Sequence, residues 1–276
     1  LSEYLARLTA RRELLWQLTL RNIKGQRKQS ILGAFWVVIQ PLGLLAATVF
    51  LRAVLLGGGR GYSLEAMAAL VPWTLFSAAF AGGVSSVADN AGLVRKIAFP
   101  RVVLPLSVVF SSLVNFFAAF VIFALLCVLR GHLPPIAALW VPAILAIELV
   151  FVVGVVLGLA SLNVFLRDIR HTVPFLTMLL YIATPIIYET ERLRSLVTRL
   201  LGESQVWLVN LNPLVPIVES FKAAVLGGHM DLKTGEWVSA AVDPATLAWA
   251  AGTALVTLAL GYAVFRKTEP VFADVI

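Results

Sequence analysis

Apolar positions recur along the chain in long runs, separated by short clusters of charge. A bilayer core takes about 20 helical residues to cross. Between Lys28 and Arg52 lie 23 uncharged residues, between Glu65 and Asp89 another 23, and between Arg101 and Arg130 there are 28. From Gly131 to Leu166 the only charge is Glu148, His171 to Tyr188 gives 18 uncharged residues, and Pro244 to Phe265 gives 22. The pattern predicts an all-α integral membrane protein with six transmembrane helices, the fifth the shortest, over residues 29–276.

Residues 1–28 follow a different period. Trp16, Leu20 and Ile23 fall at i, i+4 and i+7, while Arg21, Lys24 and Lys28 share another strip with Arg27 beside it. This predicts an amphipathic helix lying in the membrane surface. The basic strip would attract anionic lipid headgroups, a pyrophosphate-linked lipid among them, or act only as a topology determinant. The stretch from 190 to 244 is too polar for another span yet carries two helical patterns. Leu193, Leu196, Val197, Leu200 and Leu201 recur at helical spacing before Gly202, an interfacial helix by pattern. Asn212 and Pro213 open a second segment bearing Val218, Phe221 and Val225 and closed by Gly227 and Gly228. About 14 residues rise only about 21 Å, so the second helix is expected to be re-entrant or outer-leaflet, or to be an ordinary helical loop.

Composition sharpens this picture. Hydrophobic residues make up 60% and charged residues 13%, against about 45–50% and 25% in soluble domains. A mean hydropathy of +0.91 agrees. A soluble enzyme, a disordered chain and a free nucleic-acid binder are excluded on these grounds. The net charge of +7 becomes informative once divided by topology. With the amino terminus inside, the inside segments hold 14 basic against 6 acidic residues, and the remainder 8 against 9. The positive-inside rule then puts both termini in the cytoplasm. Cys127 is the only cysteine and has no partner for an intramolecular disulfide.

Candidate chemistry is sparse. The Gly57, Gly58, Gly59, Gly61 cluster has no phosphate-binding lysine after it. His132, His171 and His229 stand far apart without metal-ligand spacing. No catalytic set and no cofactor site is expected in the chain, so driving energy must come from another subunit or an ion gradient. Glu148 is the one charge well inside a span, where a carboxylate is costly; it either serves an ion pathway or meets Lys222 or Arg52. Gly154 and Gly158 form a GxxxG that permits close helix contact. The turn from Asp89 to Arg101, DNAGLVRKIAFPR, is longer than a bare reversal needs and is either a docking element or a basic topogenic loop.

Five collinear blocks carry a family resemblance: RKQSILGAFWVVIQPL at 27–42, LVPWTLFSAAFAGGVSSVADNAGLVRKIAFPRVVLPLS at 70–107, NVFLRDIRHTVPFLTMLLYIATPIIY at 163–188, LNPLVPIVESFKAAVLG at 211–227 and FRKTEPVFADVI at 265–276. In these the chain resembles the polysaccharide and polyol phosphate (O-antigen, capsule, teichoic acid) export permeases of ABC transporters. The resemblance implies a permease of the bacterial inner membrane that pairs with a second copy of itself and with two ATP-binding subunits, ATP and magnesium being held by those partners. The cargo implied is a lipid-linked glycan moved outward.

By the same resemblance, Arg21, Lys24, Arg27 and Lys28 become candidates for lipid-pyrophosphate contact or the ATPase boundary. Gly92, Leu93, Val94, Arg95, Lys96, Ile97 and Phe99 look like the coupling helix, and Arg167, Asp168 and Arg170 match the second cytoplasmic loop. Glu219, Phe221 and Lys222 belong to the outer gate, with Glu219 and Lys222 at i, i+3. Asn115, Phe116, Tyr181, Tyr188 and Trp207 are candidate channel-lining residues, because sugars stack on aromatic faces and hydroxyls take hydrogen bonds. Export of a small amphipathic drug or a lipid by a related permease, and an ion-coupled carrier using Glu148, are the other readings.

Overall fold

The computed structural model describes residues 12–25, 35–57, 62–96, 100–230 and 237–275. Nearly all of it is helical, as the hydropathy pattern requires of backbone that must satisfy its own hydrogen bonds in lipid. In chain order the helices are α1 (Arg12–Gly25), α2 (Trp36–Arg52), α3 (Tyr62–Ser85), α4 (Ala91–Lys96), α5 (Val103–Leu129), α6 (Val141–Phe165), α7 (Ile169–Ala183), α8 (Thr190–Leu201), α9 (Leu214–Leu226), α10 (Pro244–Thr268) and α11 (Phe272–Val275). Two three-residue strands, β1 (Gly228–Met230) and β2 (Trp237–Ser239), pair antiparallel with Gly228 opposite Ser239.

Among the described residues, five helices are long and apolar enough to cross a bilayer: Trp36–Leu55, Tyr62–Ser85, Val103–Leu129, Ile136–Phe165 and Pro244–Val275. The fifth expected segment forms only the 15 residues of α7, about 22 Å at 1.5 Å per residue. Its continuation, Thr184 to Tyr188, leaves the helix, with Pro185 opposing αR in Thr184, whose backbone is extended.

α3 is the axis of the molecule. Apolar on all sides, it is buried along most of its length and packs against α2, α5, α6, α7 and α9. Trp73, Phe76 and Phe80 of α3 run into Phe151 of α6 as a ring series, with Phe76 5.3 Å from Phe80 and 6.0 Å from Phe151. The closest helix pair is α6 with α10. A Cβ on Gly154 would lie 2.5 Å from the Leu258 amide nitrogen, so the GxxxG serves intramolecular packing.

The bundle has two distinct ends. One carries α1, α4, the 163–170 turn and α11, joined by a cluster of Leu18, Val94, Val164, Phe265 and Phe272. The other carries the 52–62 connection, the 184–190 segment, α8, α9 and the hairpin. The 169–187 segment runs from one end to the other: Arg170 lines a cavity with Asp89, while the Ile187 carbonyl accepts from Arg52.

Candidate functional site

At the α1 end, sequence-distant segments meet. α1 exists, but the face it buries is not the Trp16, Leu20, Ile23 strip. Leu18 and Thr19 are the buried positions and Trp16 is 62% exposed, so the helix docks on α5 through one face and turns its tryptophan away. Arg21 reaches the turn after α3, donating to Asn90 Oδ1 at 2.8 Å, and Asn22 donates to Ser107 Oγ at 3.0 Å. Lys24 is exposed; Arg27 and Lys28 lie outside the described residues.

The turn after α3 passes through a short 3-10 turn, Ala88–Asn90, into α4. Its residues divide by environment. Val94 is buried and Leu93 packs against the same apolar cluster, so these two fasten α4 to the chain's own core. Gly92 and Arg95 face outward; Lys96 ends the described helix, and Ile97 and Phe99 lie outside the described residues.

Arg167, Asp168 and Arg170 are all exposed on the turn between α6 and α7. Arg167 and Arg170 line a cavity of about 260 Å³ together with Ala88, Asp89, Ala91 and Asn163. The two segments expected to couple are therefore one surface. Asn163 holds its geometry: its Oδ1 accepts the Arg170 amide at 3.1 Å, which caps the start of α7. Its Nδ2 is buried with no hydrogen-bond partner among the described residues. Sequence spacing did not single out Asn163; the NVFLRD order, an amide just before a helix start, was the available signal.

The opposite end is held by charges. Arg52 is 1% exposed and is satisfied on three sides, by the Ile187 carbonyl at 3.2 Å, by Glu189 Oε1 at 3.2 Å and by the Tyr62 ring 3.7 Å beneath its guanidinium. Tyr62 in turn donates to the Ile186 carbonyl. Arg52 and Glu189 are the first charges beyond two long uncharged runs, which places both at one boundary of the bundle; sequence reading took Arg52 as the end of a span and a possible partner of Glu148, and did not single out Glu189.

The residues expected at an outer gate do not pair as their spacing suggested. Glu219 takes Arg194 of α8 as its ion-pair partner at 3.4 Å, not Lys222. Phe221 is wholly buried and packs edge-on to Phe116, 6.1 Å between centroids, so it is core rather than a moving surface. Both short helices appear at the expected places. α9 is buried against α3, α6 and α10, capped by Asn212 Oδ1 accepting from Leu214 N and ended by Gly227 at φ +67°. The α8 leucines Leu196, Leu200 and Leu201 remain exposed.

Of the expected channel-lining residues, Phe116 is 2% exposed and belongs to the core. Asn115 is half-buried on α5. Tyr181 is half-buried, hydrogen-bonded to Thr48 and edge-on to Trp73 at 5.2 Å. Tyr188 donates to the Ile182 carbonyl, bracing the bend after α7. Trp207 is 56% exposed. Glu148 reaches neither Lys222 nor Arg52: it is fully buried and neither carboxylate oxygen has a partner among the described residues. Among the described residues no group of His, Cys, Asp and Glu is arranged to hold a metal ion.

Residues 13–226 match the model of the ABC-2 type transporter family. The O-antigen export system permease protein of Myxococcus xanthus is 30% identical over 213 residues, 77% of this chain and 80% of that protein. Two O-antigen export system permease proteins of Klebsiella pneumoniae are 25% and 26% identical over 266 residues, 96% of this chain and 95% of each relative.

Proposed function

Since the chain belongs to the ABC-2 type transporter family, we propose that it is the membrane subunit of an ATP-driven exporter of a lipid-linked cell-surface polysaccharide. Its multi-pass apolar helices serve transport, and ATP hydrolysis belongs to a separate ATP-binding subunit, present in two copies around a permease dimer in a bacterial inner membrane. The observation that carries the reading is the single surface formed at the α1 end. There the 88–96 segment and the 163–170 turn share a cavity, and Arg95, Arg167 and Arg170 face outward.

This surface suits a nucleotide-driven partner. α4 is anchored through Val94 to α10 and α11 by way of Phe265 and Phe272, so a push on α4 is delivered to a spanning helix. Six crossings follow if the 169–187 segment completes the fifth, which its contacts at both ends support. Both termini then lie in the cytoplasm with the α1 end. The second copy is supported by α7, where Val173 is the only buried residue while Phe175, Met178 and Ile182 stay exposed. α9 reads as a re-entrant gate helix, because its 13 residues rise about 20 Å and are packed on protein.

Reconstitution with the ATP-binding subunit in proteoliposomes tests the reading. Lipid-linked polymer should cross in an ATP-dependent way, and Arg167→Glu with Arg170→Glu should lower retention of the ATP-binding subunit by about tenfold, about 1.4 kcal/mol. Transport without ATP, or undiminished retention and transport in the double variant, would overturn it.

A further inference from the structure

The end of the bundle opposite α1 holds a second cavity, of about 340 Å³, between α8, α9 and the start of α10. It lies at the small end of the range of ligand pockets, about 300–1,000 Å³. Four carboxylates line it, Glu189, Glu191, Glu219 and Asp243, against the two cations Arg194 and Lys222. Most of these groups are already fixed. Arg52 holds Glu189, Arg194 bridges Glu191 and Glu219, and Asp243 caps α10 by accepting from Ala245 N and Thr246 N. Each carboxylate retains acceptor capacity beyond these bonds, since a carboxylate offers about four lone-pair sites.

Ser220 supplies an independent sign that the cavity is built for a ligand. Several helical serines elsewhere in this protein return their hydroxyl to the carbonyl three or four residues back: Ser107 to Leu104, Ser111 and Ser112 to Val108, Ser161 to Leu157. Ser220 does not. It is 3% exposed, lines the cavity and its Oγ has no partner among the described residues. A buried hydroxyl without a partner costs about 1–3 kcal/mol, so an occupant that hydrogen-bonds it is favoured. Lys222, half-buried in the same wall, forms no ion pair with a described residue.

We propose that this cavity is a glycan-binding subsite for a short, uncharged, hydroxyl-rich segment of the exported polymer. Sugar hydroxyls donate to the carboxylates and accept from Lys222 and Ser220. The described lining carries no aromatic ring, so recognition is by hydrogen bonds and not by stacking. Two negative charges in excess on the wall disfavour a polyanionic chain, which makes the cavity selective for neutral over acidic glycans. The inference rests on the polysaccharide-export reading above and adds a site and a charge class to it.

A thiol-protection assay on the full permease, bound to its ATP-binding subunit in nanodiscs, tests the subsite. Ala241→Cys places a thiol on the exposed part of the wall, while the native Cys127 is buried. A neutral oligoglucan should protect that thiol from a maleimide, and an oligogalacturonate should not. Ser220→Ala should weaken the protection about fivefold to tenfold, the loss of one hydrogen bond. Lys222→Gln, made separately, should weaken it too. Absence of protection by the neutral oligomer, equal protection by the acidic one, protection by an oligoglucosamine alone, or unchanged protection in both variants each overturns the proposal. ATP-driven export is followed in the same preparation: export with no protection removes the subsite alone, and protection without export strikes the functional reading.

Discussion

The two ends of the bundle use charge in opposite ways. At the α1 end Leu18, Val94, Phe265 and Phe272 pack together, Arg21 and Arg101 add polar bonds beside them, and the cations Lys24, Arg167 and Arg170 are turned outward. At the other end the charges are turned inward: Arg52 is buried on Glu189, and Arg194 ties α8 to α9 through Glu219. Outward charge costs little and stays available to a partner. Inward charge is worth holding only where it is paired, as Arg52 is through both terminal guanidinium nitrogens, and it fixes geometry in return. One end is thus free to meet another subunit, while the other is braced around its cavity.

Breaking this contrast should produce graded effects. Arg52→Ala leaves Glu189 and the Ile187 carbonyl without their donor and should lower stability by about 3–5 kcal/mol, read by denaturant unfolding in detergent. Arg52→Met with Glu189→Leu should recover most of that loss, because neither charge remains buried alone. Leu18→Ala should cost about 2–3 kcal/mol at the apolar end and be insensitive to salt, detected as earlier proteolysis of α1. Arg194→Ala removes a partly exposed pair and should cost about 0.2–1 kcal/mol, shrinking as salt is raised.

The smallest effect concerns pH. Hydrogen bonds from Thr246 and Ala245 hold the Asp243 carboxyl below its ordinary value. A depressed folded pKa gives stability that is present above the unfolded aspartate value, about 3.9, and lost as pH falls through the folded value. Asp243→Asn should therefore flatten the acid limb of the Tm profile below pH of about 4, leaving the neutral region little changed.

The chain's hydropathy foretold most of the fold. Uncharged runs located five long helices, and the Leu193 to Leu201 pattern and the Asn212-Pro213 start located α8 and α9 within three residues. The fifth run was misjudged in form, since counting uncharged residues cannot see Pro185 ending the helix early. Periodicity marked the Trp16, Leu20, Ile23 strip of α1 and gave no sign of the Leu18 face, which only packing on α5 reveals. Site residues were legible as segments and not as roles: Val94 and Phe221 lie in recognised motifs but are anchors in the core. Pairings such as Arg52 with Glu189 span 137 residues and carry no local signal.

Hydrogen exchange on the permease, alone and with its ATP-binding subunit, tests the division of labour between the two ends most directly. The account predicts new protection over 88–96 and 163–171 on adding that subunit, with the 189–246 region unchanged. Protection confined to the 189–246 region, with the 88–96 and 163–171 amides unaltered, would contradict it.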